Sequence, residues 1–458
     1  MAMIHSRTGA LVTSTIDING FSGANSVKKE EGFWANRNAG IAEPRVILNA
    51  DVDIMGRLVK RQGKTLFITK AGSHSLWAND TAMLFAAGGV LYRSVNGVAV
   101  NVGTISGPEA PLSYVEVDDK IYISNPYWQG VFDPSTNAVT SWGVALPPGP
   151  MLLSGSGNLP AGTYHVCMTN VVNGEIGGNG PITQLTLTAE GGIQVINRPA
   201  NALVWATDSN EYIFYLVGAV NTIVDIPTVE PLPSYLCSPP PFLENLCYAF
   251  GRVWGSIGDE VYYSEPFKPG WFKLASNKFT FDAAVTMIAK TPAGLFVGMK
   301  DRTRFMAGTE PGQMIQSDAG AGSIKGTLAY CNNMPELGWT LGTPEKDFND
   351  VPVWMTADGV VVGSPTGKFF NVTKNKIKTG IPESGASLYR NLEGAIQFLT
   401  SFKKGKTGSG AGFSDEDTDE AFKNGAIPVN NRTPNGMGSS AGFKDTVTCT
   451  VTRGGVVI

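Results

Sequence analysis

Two acidic pairs, Asp118-Asp119 and Asp259-Glu260, are the groups in this chain that general acid–base chemistry on a glycosidic bond would use, because such hydrolysis needs two carboxyl groups flanking one bond. Each pair falls between two apolar stretches, in the turn of a hairpin, where turn geometry alone favours acidic residues. A solvated turn is therefore the simpler reading. A sialidase would add an arginine cluster and a repeated Ser-x-Asp-x-Gly-x-x-Trp box, and neither is visible. The three histidines, His5, His74 and His165, give little material for a histidine-based triad or a multi-histidine metal site. His74, within Ser73-His74-Ser75-Leu76-Trp77, reads as a hydrogen-bonded turn or packing residue. No GxxxxGK[ST] loop, no EF-hand spacing and no GxSxG elbow in a strand-to-helix context is present, so neither catalysis nor a cofactor is expected.

The basic residues form two clusters. Lys374, Lys376 and Lys378 alternate after Lys368, which puts them on one face of a strand; Lys403, Lys404 and Lys406 follow. These six are the candidates for contact with DNA phosphates or with a partner, although alternating lysines also describe an ordinary exposed face or a protected sheet edge. The five cysteines are scattered, odd in number and never paired as CxxC, which reads as free thiols, mostly buried.

Such groups need elements to hold them, and composition says which kind. Charged residues are 16% of the chain against a usual ~25%, and 55 of 458 residues are glycine, a turn-rich β profile. The net charge of −4 excludes a globally basic nucleic-acid binder. The longest apolar run, Ala82 to Tyr92, is broken by Gly88 and Gly89 and falls short of a membrane span. The N-terminus lacks a basic segment followed by an apolar one, so synthesis in a cytoplasm without Sec export is expected.

The chain also repeats itself. Residues 119–132 match residues 259–272 at six of fourteen columns: Asp119/Asp259, Tyr122/Tyr262, Ser124/Ser264, Pro126/Pro266, Gly130/Gly270 and Phe132/Phe272. The pattern is strand, acidic turn, strand, Pro-containing loop, strand. Weaker copies of the apolar–aromatic–x–small element begin at positions 66, 91, 295 and 361, which suggests a unit of about 25 to 40 residues. That period predicts an all-β fold, a β-propeller of five to seven blades, with Tyr122 and Tyr262 at equivalent, similarly buried places on the middle strands of two blades. Trp77, Trp128, Trp254, Trp271 and Trp354 fall at strand positions and read as core between blades.

The long gap between the two best copies locates an insertion at 147–241, edged by PPGP and SPPP. Strands at Gly162–Met168 and Glu211–Leu216, with Asn173-Gly174 as a hairpin turn, suggest an immunoglobulin- or fibronectin-like β-sandwich. The expected organisation is therefore 1–146 (N-terminal segment and first blades), 147–241 (inserted sandwich), 242–401 (remaining blades), 402–442 (a mobile Gly/Ser/acidic arm) and 443–458 (a C-terminal strand closing the propeller against an N-terminal one).

Three stretches carry a family resemblance: Gly56-Arg57-Leu58-Val59-Lys60-Arg61-Gln62-Gly63 followed by Ser73-His74-Ser75-Leu76-Trp77; Leu159-Pro160-Ala161-Gly162-Thr163-Tyr164 leading to Asn173-Gly174-Glu175; and Gly251-Arg252-Val253-Trp254 through Tyr262-Tyr263-Ser264-Glu265-Pro266. Over roughly residues 45 to 400 the chain resembles the packaged-DNA stabilisation proteins of short-tailed phages, the tail hub or nozzle. The resemblance implies a virion tail protein made in the host cytoplasm. Six copies would form a ring below the portal and its adaptor, continue the channel for double-stranded DNA, retain packaged DNA and anchor tail fibres or spikes. A weakly acidic wall suits that role, since a lumen lined with lysine and arginine would grip DNA through counterion release. The reading from another class is a carbohydrate-binding or glycoside-hydrolysing propeller.

Overall fold

The computed structural model describes residues 2–5, 11–14, 20–21, 34–36, 41–42, 50–52, 57–60, 67–68, 70–331, 350–373, 382–392, 395–403 and 446–453. Among them the chain is all-β, built of antiparallel pairings apart from a short parallel one between Gly20–Phe21 and Ile41–Ala42, with a 3-10 turn at Pro311–Gln313 and no α-helix. No helix among the described residues is long and apolar enough to cross a membrane. The chain forms two compact units, Lys70–Val285 and Met1–Thr69 with Thr286–Ile458.

In the Lys70–Val285 unit, sheet 1 is a meander of His74–Ala78, Met83–Ala87, Val90–Val95 and Val98–Thr104. Sheet 2 comprises Ser113–Val117, Lys120–Ser124, Gln129–Asp133 and Ala138–Thr140. Sheet 3 comprises Glu244–Ala249, Arg252–Ile257, Glu260–Tyr263 and Lys278–Thr280. Tight turns explain the meanders: Gly88-Gly89 and Asn96-Gly97 both have positive φ at their two central residues, the geometry whose twist matches that of paired strands.

Sheet 2 shows why the period-2 pattern is apolar on both faces. Ile121, Ile123 and Phe132 join Leu84, Ala86 and Leu91 of sheet 1 in one buried cluster. Val115, Val117 and Val131 join Val253 of sheet 3 in another, with Trp142, Leu246 and Phe272. Each valine, leucine, isoleucine or phenylalanine among them contributes roughly 1.5–3 kcal/mol by leaving water, and no sheet bearing two apolar faces could do this alone. Arg93 ties sheets 1 and 2 at the edge, donating to the Pro134 carbonyl at 3.2 Å, Asn137 Oδ1 at 3.1 Å and the Thr81 carbonyl at 3.1 Å.

The other unit repeats the scheme. Sheet 4 (Val285–Thr291, Gly294–Met299, Arg302–Ala307, Ile315–Ala321) and sheet 5 (Ala329–Cys331, Val351–Thr356, Gly359–Gly363, Phe369–Asn371) share Met287, Phe296, Phe305, Trp354 and Val361. The opposite face of sheet 5, with Val353, Met355, Val360 and Val362, packs on Phe398 and Phe402 of a three-stranded sheet formed by Ser384–Leu392, Ala395–Lys403 and Thr446–Arg453. The expected closure of the last strand onto an N-terminal one is not what the described residues show. Thr446–Arg453 pairs with Ala395–Lys403, from Ile396↔Arg453 to Lys403↔Thr446. The preceding strand still had an open edge, and a sequence-near partner costs less loop-closure entropy than a distant one.

Tyr122 and Tyr262 lie, both half-buried, on internal strands of different sheets. Their places are not identical: Tyr122 is on the second strand of sheet 2 and Tyr262 on the third of sheet 3, so the repeated hairpin is displaced by one strand. The segment 152–223 forms two further sheets. Leu152–Leu159, Gly191–Val195 and Thr222–Ile223 make one; Glu175–Asn179, Gly162–Val172, Ala202–Thr207 and Phe214–Gly218 make the other, with Thr183–Leu187 also pairing with Gly162–Val172. Both contribute to one buried cluster that includes Tyr164, Val166, Met168, Ile193, Val204 and Ile223. Asn173-Gly174 is a hairpin turn with φ of 51° and 81°. The strand expected from Glu211 starts instead at Phe214, because Asn210 is left-handed (φ 57°) and the Glu211 amide donates to the Asp208 carbonyl, closing a turn.

Candidate functional site

The two acidic pairs are turn residues with different fates. Asp118 and Asp119 both adopt positive φ (50° and 61°), form a two-residue turn and are exposed. At the second site Gly258 (φ 59°) takes the left-handed position and Asp259 is exposed, while Glu260 begins the strand. Glu260 accepts a hydrogen bond from the Tyr262 hydroxyl at 2.5 Å and pairs with Lys278 Nζ on the neighbouring strand, also at 2.5 Å. That carboxylate is engaged in a cross-strand tie to Lys278.

The Lys278 bond, seconded by Tyr262, holds the Glu260 carboxyl below its ordinary value, and Glu260 raises Lys278 in turn. A depressed carboxyl pKa stabilises the fold above the unfolded value of 4.5 and loses that contribution as pH falls through the folded value. Glu260→Gln should therefore flatten the acid limb of the melting temperature against pH, by a small amount because the pair is partly exposed. Acid limbs that superimpose for parent and variant would show the tie to be energetically silent.

Of the six candidate lysines, Lys374, Lys376, Lys378, Lys404 and Lys406 lie outside the described residues, and Lys403 is placed only as the last backbone position of Ala395–Lys403. The proposed arm at 402–442 lies almost wholly outside them too. Cys167, Cys237 and Cys331 are free thiols and, like Cys247, buried, and burial pushes the Cys167, Cys237 and Cys331 thiols up, away from reactivity. No group of three or more metal-ligating side chains occurs among the described residues. Trp254 and Trp354 are buried on strands and Trp77 is half-buried on one. Trp128 and Trp271, expected on strands, sit in loops: Asn125 Oδ1 accepts from the Trp128 amide, and the Trp271 amide donates to the Lys268 carbonyl, each closing a turn.

The most constrained geometry is where the strand Glu175–Asn179 meets the chain on either side of the 152–223 sheets. A Cβ on Gly177 would stand 2.9 Å from Val144, one on Gly180 would stand 2.3 Å from the Pro147 carbonyl oxygen, and one on Gly178 would overlap the Cys237 carbonyl outright. Hydrogen bonds complete the contact. The Leu236 amide donates to Asn179 Oδ1 at 2.6 Å, Ser234 Oγ to the Gly177 carbonyl at 2.7 Å, Asn170 Nδ2 to the Ala145 carbonyl at 2.8 Å, and Trp271 Nε1 to the Ile176 carbonyl at 2.8 Å. The mount is thus rigid and made of backbone. Sequence reading passed over it, although glycines inside a strand are a signal of close backbone approach.

No family model and no curated protein matches the chain. Solved structures with some likeness include the extracellular domain of a one-component system, BT4673, from B. thetaiotaomicron: 11% identity, 74% of this chain, 42% of that chain, TM-score 0.32. Hsv2 of Kluyveromyces lactis with a replaced loop aligns at 8% identity over 73% of this chain and 93% of its own, TM-score 0.28. BBS1N in complex with ARL6DN aligns at 10% identity over 73% and 90%, TM-score 0.29. The chain spans less than half of the first of these, and at such scores none of their roles transfers to it.

Proposed function

We propose that this chain is a structural scaffold of a phage tail, a nozzle or hub subunit. It forms a ring, six copies in the complete tail, that continues the DNA channel below portal and adaptor, retains packaged DNA and anchors fibres or spikes. In this reading the four-stranded sheets act as blades of one β-propeller of five to seven blades, and 147–241 is an inserted immunoglobulin- or fibronectin-like sandwich. The six lysines at 374–378 and 403–406 face DNA or a neighbouring component. The role is mechanical and calls for no catalysis or cofactor.

The observation that supports it best is the rigid mount: a second pair of sheets fixed through glycine backbone to a stack of meanders that bury both faces of their strands. Such a body holds interfaces at fixed geometry. The phage assignment itself rests on the sequence resemblance at 56–63, 159–175 and 251–266. The test is electron microscopy of the purified chain, alone and after mixing with portal and adaptor. A monomer or weak associate alone that becomes a ring on the adaptor is the expected result, because a ring closing early could not dock in order. No binding to the portal–adaptor complex would overturn the proposal.

A further inference from the structure

The strand His74–Ala78 contains a residue in a backbone state that non-glycine residues rarely adopt: Ser75 has φ 54°. It sits in a bulge, since His74 pairs with Ala86 and Trp77 with Leu84, leaving Ser75 and Leu76 opposite Phe85 alone. In a regular strand consecutive side chains point to opposite faces. Here the distortion brings His74 Nδ1 within 2.8 Å of Ser75 Oγ.

The proton positions follow from the donors. Glu109 Oε1, 3.1 Å from Nε2, is a carboxylate oxygen that only accepts, so the imidazole carries its proton on Nε2 and leaves Nδ1 to accept from the Ser75 hydroxyl. The Leu112 amide donates to a free lone pair of Ser75 Oγ at 2.8 Å. The Tyr114 hydroxyl donates to the Ser75 carbonyl at 2.8 Å and holds the bulge in place, and the same ring stacks on Trp77 at 5.8 Å. A hydroxyl, a base that accepts its proton and a carboxylate that orients the base are the three parts of an activated nucleophile. Glu109 is 60% exposed, so the array opens to solvent.

We propose that Ser75 is an acyl-accepting nucleophile with His74 as its base and Glu109 as the positioning carboxylate, an activity independent of the scaffold role. Its substrates are aryl or short-chain esters, small groups that can reach an array open to solvent on the Glu109 side. Ser75 Oγ bonds to the ester carbonyl carbon as its proton passes to His74 Nδ1. The bond to the alcohol oxygen breaks, and the departing alcohol takes that proton. Water, deprotonated by the same nitrogen, then attacks the acyl-serine, releases the acid and returns the proton to Ser75.

The test treats the full chain with a fluorophosphonate and, separately, with p-nitrophenyl acetate, and locates the adduct by peptide mass spectrometry. The expected result is one phosphonate on the peptide containing Ser75, with p-nitrophenol release about 10²-fold faster than from Ser75→Ala. Glu109→Gln, an exposed change that leaves the fold alone, should slow both reactions about tenfold while the melting temperature stays put. Adducts only at other residues, equal rates from Ser75→Ala, or a Glu109→Gln variant as fast as the parent would each overturn the proposal. A lower melting temperature for Ser75→Ala with no labelling of the parent would mean that Ser75 merely anchors Leu112.

Discussion

Gly178→Ala should be the most damaging one-carbon change in the Lys70–Val285 unit. Its new methyl group would occupy the position of the Cys237 carbonyl oxygen, and backbone cannot rotate away as a side-chain tip can. Either Glu175–Asn179 or the Cys237 segment must move, which breaks the Leu236–Asn179 and Ser234–Gly177 hydrogen bonds as well. We expect a loss of about 3 kcal/mol, at the upper end for overpacking. The informative control is Gly174→Ala. That glycine has φ 81° but open space around its Cβ position, so only the left-handed backbone is penalised, by about 1–2 kcal/mol. Urea midpoints followed by far-UV circular dichroism, with limited proteolysis at 147–150 and 238–241, separate the two. A Gly178→Ala protein as stable as the Gly174→Ala one would mean that the mount is loose.

Trp142→Ala should rank beside it, through loss of packing. Trp142 is 2% exposed and stands between sheets 2 and 3, edge-on to Tyr122 at 5.2 Å and to Phe272 at 6.4 Å, while its Nε1 donates to the Pro269 carbonyl at 2.9 Å. Truncation leaves a cavity and an unmatched carbonyl, a cost of about 3–5 kcal/mol. Trp142→Phe keeps most of the aromatic contact and loses the hydrogen bond, for about 1–2 kcal/mol. Hydrogen exchange should show where the effect goes: faster exchange in Ser113–Val117 and Arg252–Ile257, which both border the cluster. Equal midpoints for the two variants would place the whole contribution of Trp142 in its hydrogen bond and none in its ring.

Both predictions depend on glycines and aromatics whose roles were unevenly legible in the chain. The paired hairpins of Asp119 and Asp259, the Asn173-Gly174 turn and the all-β texture could be read directly, because strand alternation and turn chemistry are decided by residues within a few positions of one another. The offset between Tyr122 on a second strand and Tyr262 on a third could not, since the same hairpin fits either place in a meander. Trp128 and Trp271 look like strand residues by spacing, yet the Asn125 side chain and the Lys268 carbonyl draw them into turns.

What the sequence determined by itself was therefore the kind of element and its turns: antiparallel strands, hairpins at acidic and Asn-Gly pairs, and cysteines that are mostly buried. What only the tertiary structure decided was which backbones meet. Gly178 is recognisable as indispensable only once the Cys237 carbonyl is seen against it, and His74, Ser75 and Glu109 become one array only because a bulge opposite Phe85 turns two neighbouring side chains to the same side. Local pattern carries no information about such approaches, since close contact and left-handed backbone at a serine are imposed by packing from residues far along the chain.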